Sequence, residues 1–468
     1  MLRAGGNAVD AALAAMLMAW VTEPLLTGPG AGGYMLVAAP GAEPVALDFF
    51  VEAPGRAGRE RGAELQPVSV DFGDTTQVFN IGPASVGAYG TPAGIAHAHG
   101  RWGSIPLADL AAPAAAAARS GVVLNAGQTY VLELLAGLVR SSPEASALFA
   151  PAGRLLAEGE RWIDEELGTA LERFGAEGAE PFYRGDLAER IAGWVCERGG
   201  ILGAEDLAAY AVRELAPVEV AYRGTRVLTA PPSSAGGLLV ARSLAVLGAE
   251  PGSPGVPALV RAMRAAQDER TEAFLGGLAD PGFAAEFTSS RLGSTTHVSA
   301  LDADGWACSA TCSNGVGSGV IVPGTGVHLN NMLGEEDLNP HGFHRYPPGR
   351  RLPSMMTPAI VLAQGRPEVV LGSAGSNRIR SAVLQVIVNV VDRGMDAEEA
   401  VRAPRVHFEA GQVWAEPGVD TSGLAEPVSP FGGLSMYFGG AQVVVRDPAT
   451  GELTGGGDPR RGGAVAVA

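Results

Sequence analysis

The stretch Thr295-Thr296-His297-Val298-Ser299-Ala300-Leu301-Asp302-Ala303-Asp304-Gly305-Trp306-Ala307-Cys308-Ser309-Ala310-Thr311-Cys312-Ser313 decides how this chain is read. Two short strand-like runs, Thr295–Leu301 and Trp306–Ser313, flank a turn made of Asp, Ala and Gly. That is the composition of a β-hairpin. A hairpin centred on the turn sets Thr295 opposite about Cys312, which brings Thr311 and Ser313 near it. Alternation puts Ser309, Thr311 and Ser313 on one face and Cys308, Ala310 and Cys312 on the other. One face then carries hydroxyls, as a site would, and the other carries small apolar groups, as a core would.

Further along, Glu368–Leu371 reads as a strand. It is followed by Gly372-Ser373-Ala374-Gly375-Ser376-Asn377 and the apolar run Ile379–Val391. The run is too long for an ordinary strand and reads as a buried helix despite its valines. Strand, small-residue turn and helix together aim backbone N–H groups and a positive helix end at an anion. Near the start, Asn7 caps a helix over Ala8–Val21, the glycine-rich Gly28–Gly33 follows, and then the apolar strand Tyr34–Ala39. A dinucleotide fingerprint needs strand, glycines, helix; the reversed order excludes it and leaves a turn through which backbone can approach closely. The middle, about Leu107 to Leu247, is mainly helical, with periodic segments at Leu107–Arg119, Asp186–Arg198 and Gly237–Leu247. Pro231-Pro232-Ser233-Ser234 reads as a loop, and Asp268–Phe283 as polar and then turn-rich.

With 468 residues, 47% hydrophobic and 18% charged, the composition is globular and fits either several domains or one large one. A formal charge of −17 repels phosphates and argues against a nucleic-acid partner. Lysine is absent, so arginine supplies every fixed positive side chain. Cys196, Cys308 and Cys312 are too few for a disulfide framework, and the last two read as small buried residues. His97, His99, His328, His341, His344 and His407 show no metal-ligand spacing, and no cofactor is called for. No run reaches the roughly 20 apolar residues of a membrane span. Asp10 lies inside the first apolar run and no small-residue cleavage site follows it, so that run reads as a helix rather than an export signal. This favours the cytoplasm for the sequence as given, with export open if the true start lies upstream.

Thr295-Thr296 alone is a weak signal, since most such pairs are simply strand residues. A threonine becomes a nucleophile when its own α-amine, freed by cutting the preceding bond, serves as base. An α-amine pKa of about 7.7–8.0 suits that role near neutral pH.

The chain resembles the gamma-glutamyltranspeptidase family of N-terminal-nucleophile hydrolases from end to end. The matching segments are Gly5–Ala12, Gly30–Leu36, Ala46–Phe49, Pro231–Gly237, Thr295-Thr296-His297, Leu329-Asn330-Asn331, Gly372–Gly375 and Asp458-Pro459-Arg460. The resemblance implies an α+β fold, an αββα four-layer sandwich with two central antiparallel sheets. It implies self-cleavage between Ser294 and Thr295 into a large part, 1–294, and a small part, 295–468, which stay together as a heterodimer. Thr295 would be the nucleophile, Thr311 the hydroxyl bonded to it, and Gly375 and Ser376 the backbone donors of the oxyanion hole. Asn314 and Glu335 match the residues that hold the substrate amine, although Met332 stands where Gln is common.

The carboxylate side departs from the family. Phe50 stands where the resemblance calls for a carboxylate-binding arginine, and Pro353-Ser354 where it calls for paired serines. Phe cannot replace a bidentate guanidinium; Arg350, Arg351 and Arg378 are the alternatives. Glu335–Ser354 is short for the family, which implies a reduced lid. The expected partner is thus a small γ-glutamyl compound or another amide, with an uncleaved, non-catalytic homologue as the third reading. The family's usual strand ahead of the first helix is missing from this sequence.

Overall fold

The first helix forms because Asn7 caps it. The Asn7 side chain accepts from the N–H groups of Val9 and Asp10, and Asp10 returns a bond to the Asn7 N–H, closing a capping box over Ala8–Thr22. In this computed structural model, residues 1–58, 62–71, 76–269, 295–339 and 341–468 are described. Ser294 and nearly all of Asp268–Phe283 lie outside them.

Two antiparallel sheets form the centre. One has five strands in the order Thr296–Leu301, Ala307–Ser313, Gly32–Ala38, Val45–Phe49, Arg213–Leu215. The other has six, in the order Leu453–Gly457, Gly440–Arg446, Arg366–Ala374, Ala359–Ala363, Thr225–Thr229, Val218–Tyr222. Leu36, Ala46, Leu301, Ile360, Leu362 and Val370 fill the space between them. The outer face of the first sheet, with Met35, Leu47, Cys308, Ala310 and Cys312, packs on the first helix and its neighbours. The outer face of the second packs on Ala235–Gly248, Val256–Asp268 and Arg378–Val391. Each large side chain so buried contributes about 1.5–3 kcal/mol. The layers therefore run helix, sheet, sheet, helix, the αββα sandwich expected.

The expected helices form at Leu107–Ser120, Asp186–Glu197, Ala235–Gly248 and Arg378–Val391, within a few residues of their predicted ends. The valine-rich run is helical throughout. The hairpin differs in one respect: Thr296 pairs with Cys312 and His297 with Thr311, a register one residue away from the expected one. The reason is Gly305, whose φ of 93° puts it inside the loop. Asp302 and Trp306 close a three-residue loop through an Asp302 N–H to Trp306 carbonyl bond of 3.1 Å, where a turn centred on residues 302–305 implies a two-residue loop. The hydroxyl face and the small apolar face survive the shift, because both strands keep their alternation.

Candidate active site

Thr295 directly precedes its strand and is 3% exposed. Continuing the register sets Ser313 across from it, and alternation turns Thr295, His297, Thr311 and Ser313 toward the second sheet. Thr311, expected beside Thr295, faces His297 instead: its Oγ1 lies 2.7 Å from His297 Nδ1. His297 Nε2 lies 2.9 Å from Ser299 Oγ, which donates to the Gln442 carbonyl at 3.2 Å. The single Ser299 proton is therefore spent on Gln442, so Nε2–H donates to Ser299 and Nδ1 accepts from Thr311. Burial holds the imidazole pKa down at about 3, so the ring is neutral. The ring also fills the space a side chain on Gly372 would need, with its Cε1 2.2 Å from that Cβ position. Gly372 is thus required by contact between the sheets, and the contact lies just before the Gly375 turn.

Thr296 points the other way. Its hydroxyl donates to the partly buried Glu23 at the end of the first helix, where desolvation raises the carboxyl pKa and the Thr296 bond and nearby Arg461 oppose the rise. Cys308 and Cys312 sit on the same face, fully buried, with thiols pushed up to about 12 by burial, which makes them inert packing groups.

Gly375 and Ser376 form the turn between strand Arg366–Ala374 and helix Arg378–Val391, with φ of 115° and 67°. The Arg378 and Ile379 N–H groups bond back to the Gly375 and Ser376 carbonyls at 3.2 and 2.9 Å. This is the strand, turn and helix expected, with a serine held in the left-handed region.

Asn314 and Glu335 come together across Gly315. Glu335 Oε1 lies 2.3 Å from the position a Gly315 Cβ would take, and Asn314 is the preceding residue. Asn314 is fully buried and its side-chain atoms have no hydrogen-bond partner among the described residues, while the buried Glu335 carboxyl has only the Val316 N–H near it. Burial, only partly offset by the Val316 N–H, pushes the Glu335 pKa up to about 8. A buried carboxyl and the Asn331 side chain thus crowd Gly315, next to the buried Asn314 amide with open valences. Glu335 is therefore not the solvated loop carboxylate its acidic neighbours suggest.

Phe50 and Ser354 also come together. Phe50 stacks on Tyr34 at 5.6 Å, Tyr34 Oη lies 2.6 Å from Ser233 Oγ, and the Ser354 N–H donates to the Ser233 carbonyl at 3.1 Å. Arg351 cannot serve as a substitute carboxylate binder. Its guanidinium is buried and donates to the carbonyls of Phe50 (2.6 Å), Ala211 (2.7 Å) and Asp48 (3.3 Å). It also pairs with Asp48 at 3.2 Å and Glu52 at 3.5 Å. Arg378 is engaged as well, donating to the Tyr437 carbonyl at 2.8 Å from above that ring. Asn330 is a structural staple, donating to the carbonyls of Gly30 and Gly87.

The sequence reading left Glu23 and His297 without roles and ranked Thr311 above Ser313. Gly305 after Asp-Ala-Asp was the signal for a three-residue loop, and with that loop Ser313 follows. His297 was marked by sharing the parity of the hydroxyl face. Glu23 had no local signal. Among the described residues no three His, Cys, Asp or Glu side chains are grouped as for a metal, and no helix is long and apolar enough to cross a membrane.

Two facing sheets between helical layers, with a threonine heading the edge strand of one of them, define the N-terminal-nucleophile hydrolase class of fold. The gamma-glutamyltranspeptidase family profile matches residues 1–468. A glutathione hydrolase proenzyme of Escherichia coli (strain K12) is 30% identical over 98% of this chain and 87% of its own length. An acylase ACY 1 proenzyme of Pseudomonas sp. (strain SE83) is 31% identical over 89% of this chain and 81% of its own. The crystal structure of cephalosporin acylase from Bacillus halodurans superposes with a TM-score of 0.83 at 27% identity, covering 99% of this chain and 92% of that one. The chain belongs to the gamma-glutamyltranspeptidase family and is an enzyme of that family.

Proposed function

We propose that the protein cleaves itself before Thr295 and then uses Thr295 as the nucleophile of an acyl-transferring amidohydrolase. The freed α-amine takes the proton from Thr295 Oγ1 as the oxygen attacks the substrate's amide carbon. The oxyanion rests on the N–H groups of Gly375 and Ser376, each donor contributing about 3–4 kcal/mol. Collapse breaks the C–N bond. The leaving amine takes the proton from the α-ammonium, and an ester remains on Thr295. Water, or the amine of an amino acid or peptide, then attacks the ester by the same steps in reverse. Ser313 is the neighbouring hydroxyl that orients Oγ1, and Thr311 acts at one remove by fixing His297.

The observation that carries the proposal is the register of Thr296 with Cys312 and His297 with Thr311, which continued by one residue sets Thr295 across from Ser313 on the face turned to the sheet that ends in the Gly375-Ser376 turn. The open carboxyl and amide of Glu335 and Asn314 support a donor whose acyl group bears an ammonium. Similarity to glutathione hydrolases supports γ-glutamyl donors. A second reading, the same machinery acting on a different amide, is supported by Phe50 at the expected arginine position, by the fully engaged Arg351, and by similarity to acylases. Release of aniline from a γ-glutamyl anilide and from neutral acyl anilides separates the two. A higher kcat/KM for the γ-glutamyl compound is expected, and preference for a neutral acyl group overturns the γ-glutamyl assignment.

A further inference from the structure

Past Arg378 and Arg380 in its first turn, the helix Arg378–Val391 is apolar except for a stripe at every fourth residue: Asn377 just before it, then Ser381, Gln385 and Asn389, all buried. Residues four apart share one helix face. Three of them meet the strand Val406–Glu409 in opposite order. Gln385 accepts from the Val406 N–H at 2.9 Å and donates to the Val406 carbonyl at 2.9 Å. Ser381 Oγ lies 2.8 Å from His407 Nδ1. Asn377 Nδ2 donates to Glu409 Oε1, while Glu409 Oε2 lies 3.3 Å from His407 Nε2. The fourth, Asn389, donates to the Ala400 carbonyl at 3.0 Å. Arg380 adds a bond to the Phe408 carbonyl at 3.1 Å.

The proton logic closes this network. A carboxylate only accepts, so His407 Nε2–H donates to Glu409 and Nδ1 accepts from the Ser381 hydroxyl. Burial opposes charge on Glu409, but the His407 and Asn377 hydrogen bonds and the Arg380 charge together hold its carboxyl well below the usual range. Asn377 Oδ1 and Arg380 Nε have no hydrogen-bond partner among the described residues, but the bonds that are made join helix and strand in one geometry. An apolar stripe in these positions would bury as much surface but would let the helix slide or rotate against the strand.

From this we infer that Asn377 and Glu409 are positioning residues for the oxyanion turn. The aim of the turn is set by the last rung: Glu409 holds Asn377, the residue directly after Ser376, so that the Gly375 and Ser376 N–H groups stay aimed at one point, while the Gln385 rung, about two turns further along, fastens the helix to the strand away from the turn. A shift of about 1 Å in such donors costs up to roughly a hundredfold in rate. The inference rests on the proposed role of that turn.

The test uses the whole processed protein, with rates counted per cleaved molecule, and compares Asn377→Ala, Glu409→Ala, Glu409→Gln and the far-rung variant Gln385→Leu. Asn377→Ala and Glu409→Ala are expected to lower kcat about ten- to a hundredfold with KM within about twofold. Glu409→Gln, which keeps an acceptor for Asn377, restores kcat to within about fivefold of the parent. Gln385→Leu lowers the melting temperature but leaves kcat nearly unchanged, which separates positioning from plain stability. If Asn377→Ala does not fold, the Glu409 pair carries the decision. Unchanged kcat in Glu409→Ala, or a loss that tracks melting temperature in every variant, overturns the inference. Thr295→Ala distinguishes the two levels: if it still turns over amide, the reading of the site fails first; if it is dead while the zipper variants are fully active, only the zipper inference fails.

Discussion

Replacing Glu335 with Gln perturbs a single buried carboxyl and has two opposite consequences. Burial raises the Glu335 pKa from 4.5 to about 8. Below pH 4.5 the group is protonated both folded and unfolded, and it affects stability little. Between 4.5 and 8 the unfolded chain ionises it while the folded protein keeps the proton, so stability falls as pH rises. Above 8 the penalty is complete, at about 1.4 kcal/mol for each of about 3.5 pH units, or on the order of 5 kcal/mol. Gln has nearly the same shape and never ionises, so Glu335→Gln removes the penalty. With an unfolding entropy of about 2.1 cal/mol/K per residue, a chain this long gains about 1 °C per kcal/mol. The variant should therefore melt within about 1 °C of the parent at pH 5 and about 5 °C higher at pH 8. Binding moves the other way. An amino-acid inhibitor that docks its ammonium on Glu335 must find the carboxylate ionised, so its affinity for the parent rises up to about tenfold per pH unit from 6 to 8. The variant loses both the affinity and this pH dependence. Scanning calorimetry and inhibition constants at pH 5 to 8 read the two effects. Parallel melting curves for parent and variant across that range would refute the reasoning, because Glu335 would then carry no buried penalty.

Three further outcomes follow from the geometry. Ser313→Ala should lower kcat about ten- to a hundredfold, and Thr311→Val should lower it less, because Thr311 donates to His297; steady-state kinetics giving the reverse order would return the nucleophile's partner to Thr311. Gly372→Ala sets a methyl 2.2 Å from the His297 ring and should cost about 1–3 kcal/mol, with His297→Ala restoring part of the melting temperature in the double variant; no recovery would contradict the inter-sheet contact. Arg351→Met takes the guanidinium away from the buried Asp48 carboxylate, while Glu52 keeps Arg56, and should cost about 3–5 kcal/mol by denaturant unfolding; a loss under about 1 kcal/mol would free Arg351 for a substrate role.

Much of this architecture was legible because local signals agreed. Asn7 caps, the glycines between the first helix and Tyr34 admit close strands, and the apolar run after Gly375-Ser376 is too long to be a strand. The hairpin was legible in kind but not in register, since register depends on whether Gly305 belongs to the loop or to the strand. At the site, Asn314 and Glu335 were legible as a pair, but their burial was not. Acidic neighbours make Glu335 look solvated, and only the fold shows the carboxyl pressed against Gly315. Arg351 could not be judged from sequence, because its partners Asp48, Glu52 and Ala211 lie far away in the chain. The polar stripe went unread inside what looked like an apolar run, because only its strand partners give it a meaning.

The central claim is that a backbone amine created by self-cleavage activates Thr295. Denaturing mass spectrometry of the parent and of Thr295→Ala, with amide turnover measured on the same samples, tests it most directly. The account predicts two fragments divided before Thr295 in the active parent, and one intact, inactive chain in the variant. An undivided parent that still turns over amide would contradict it.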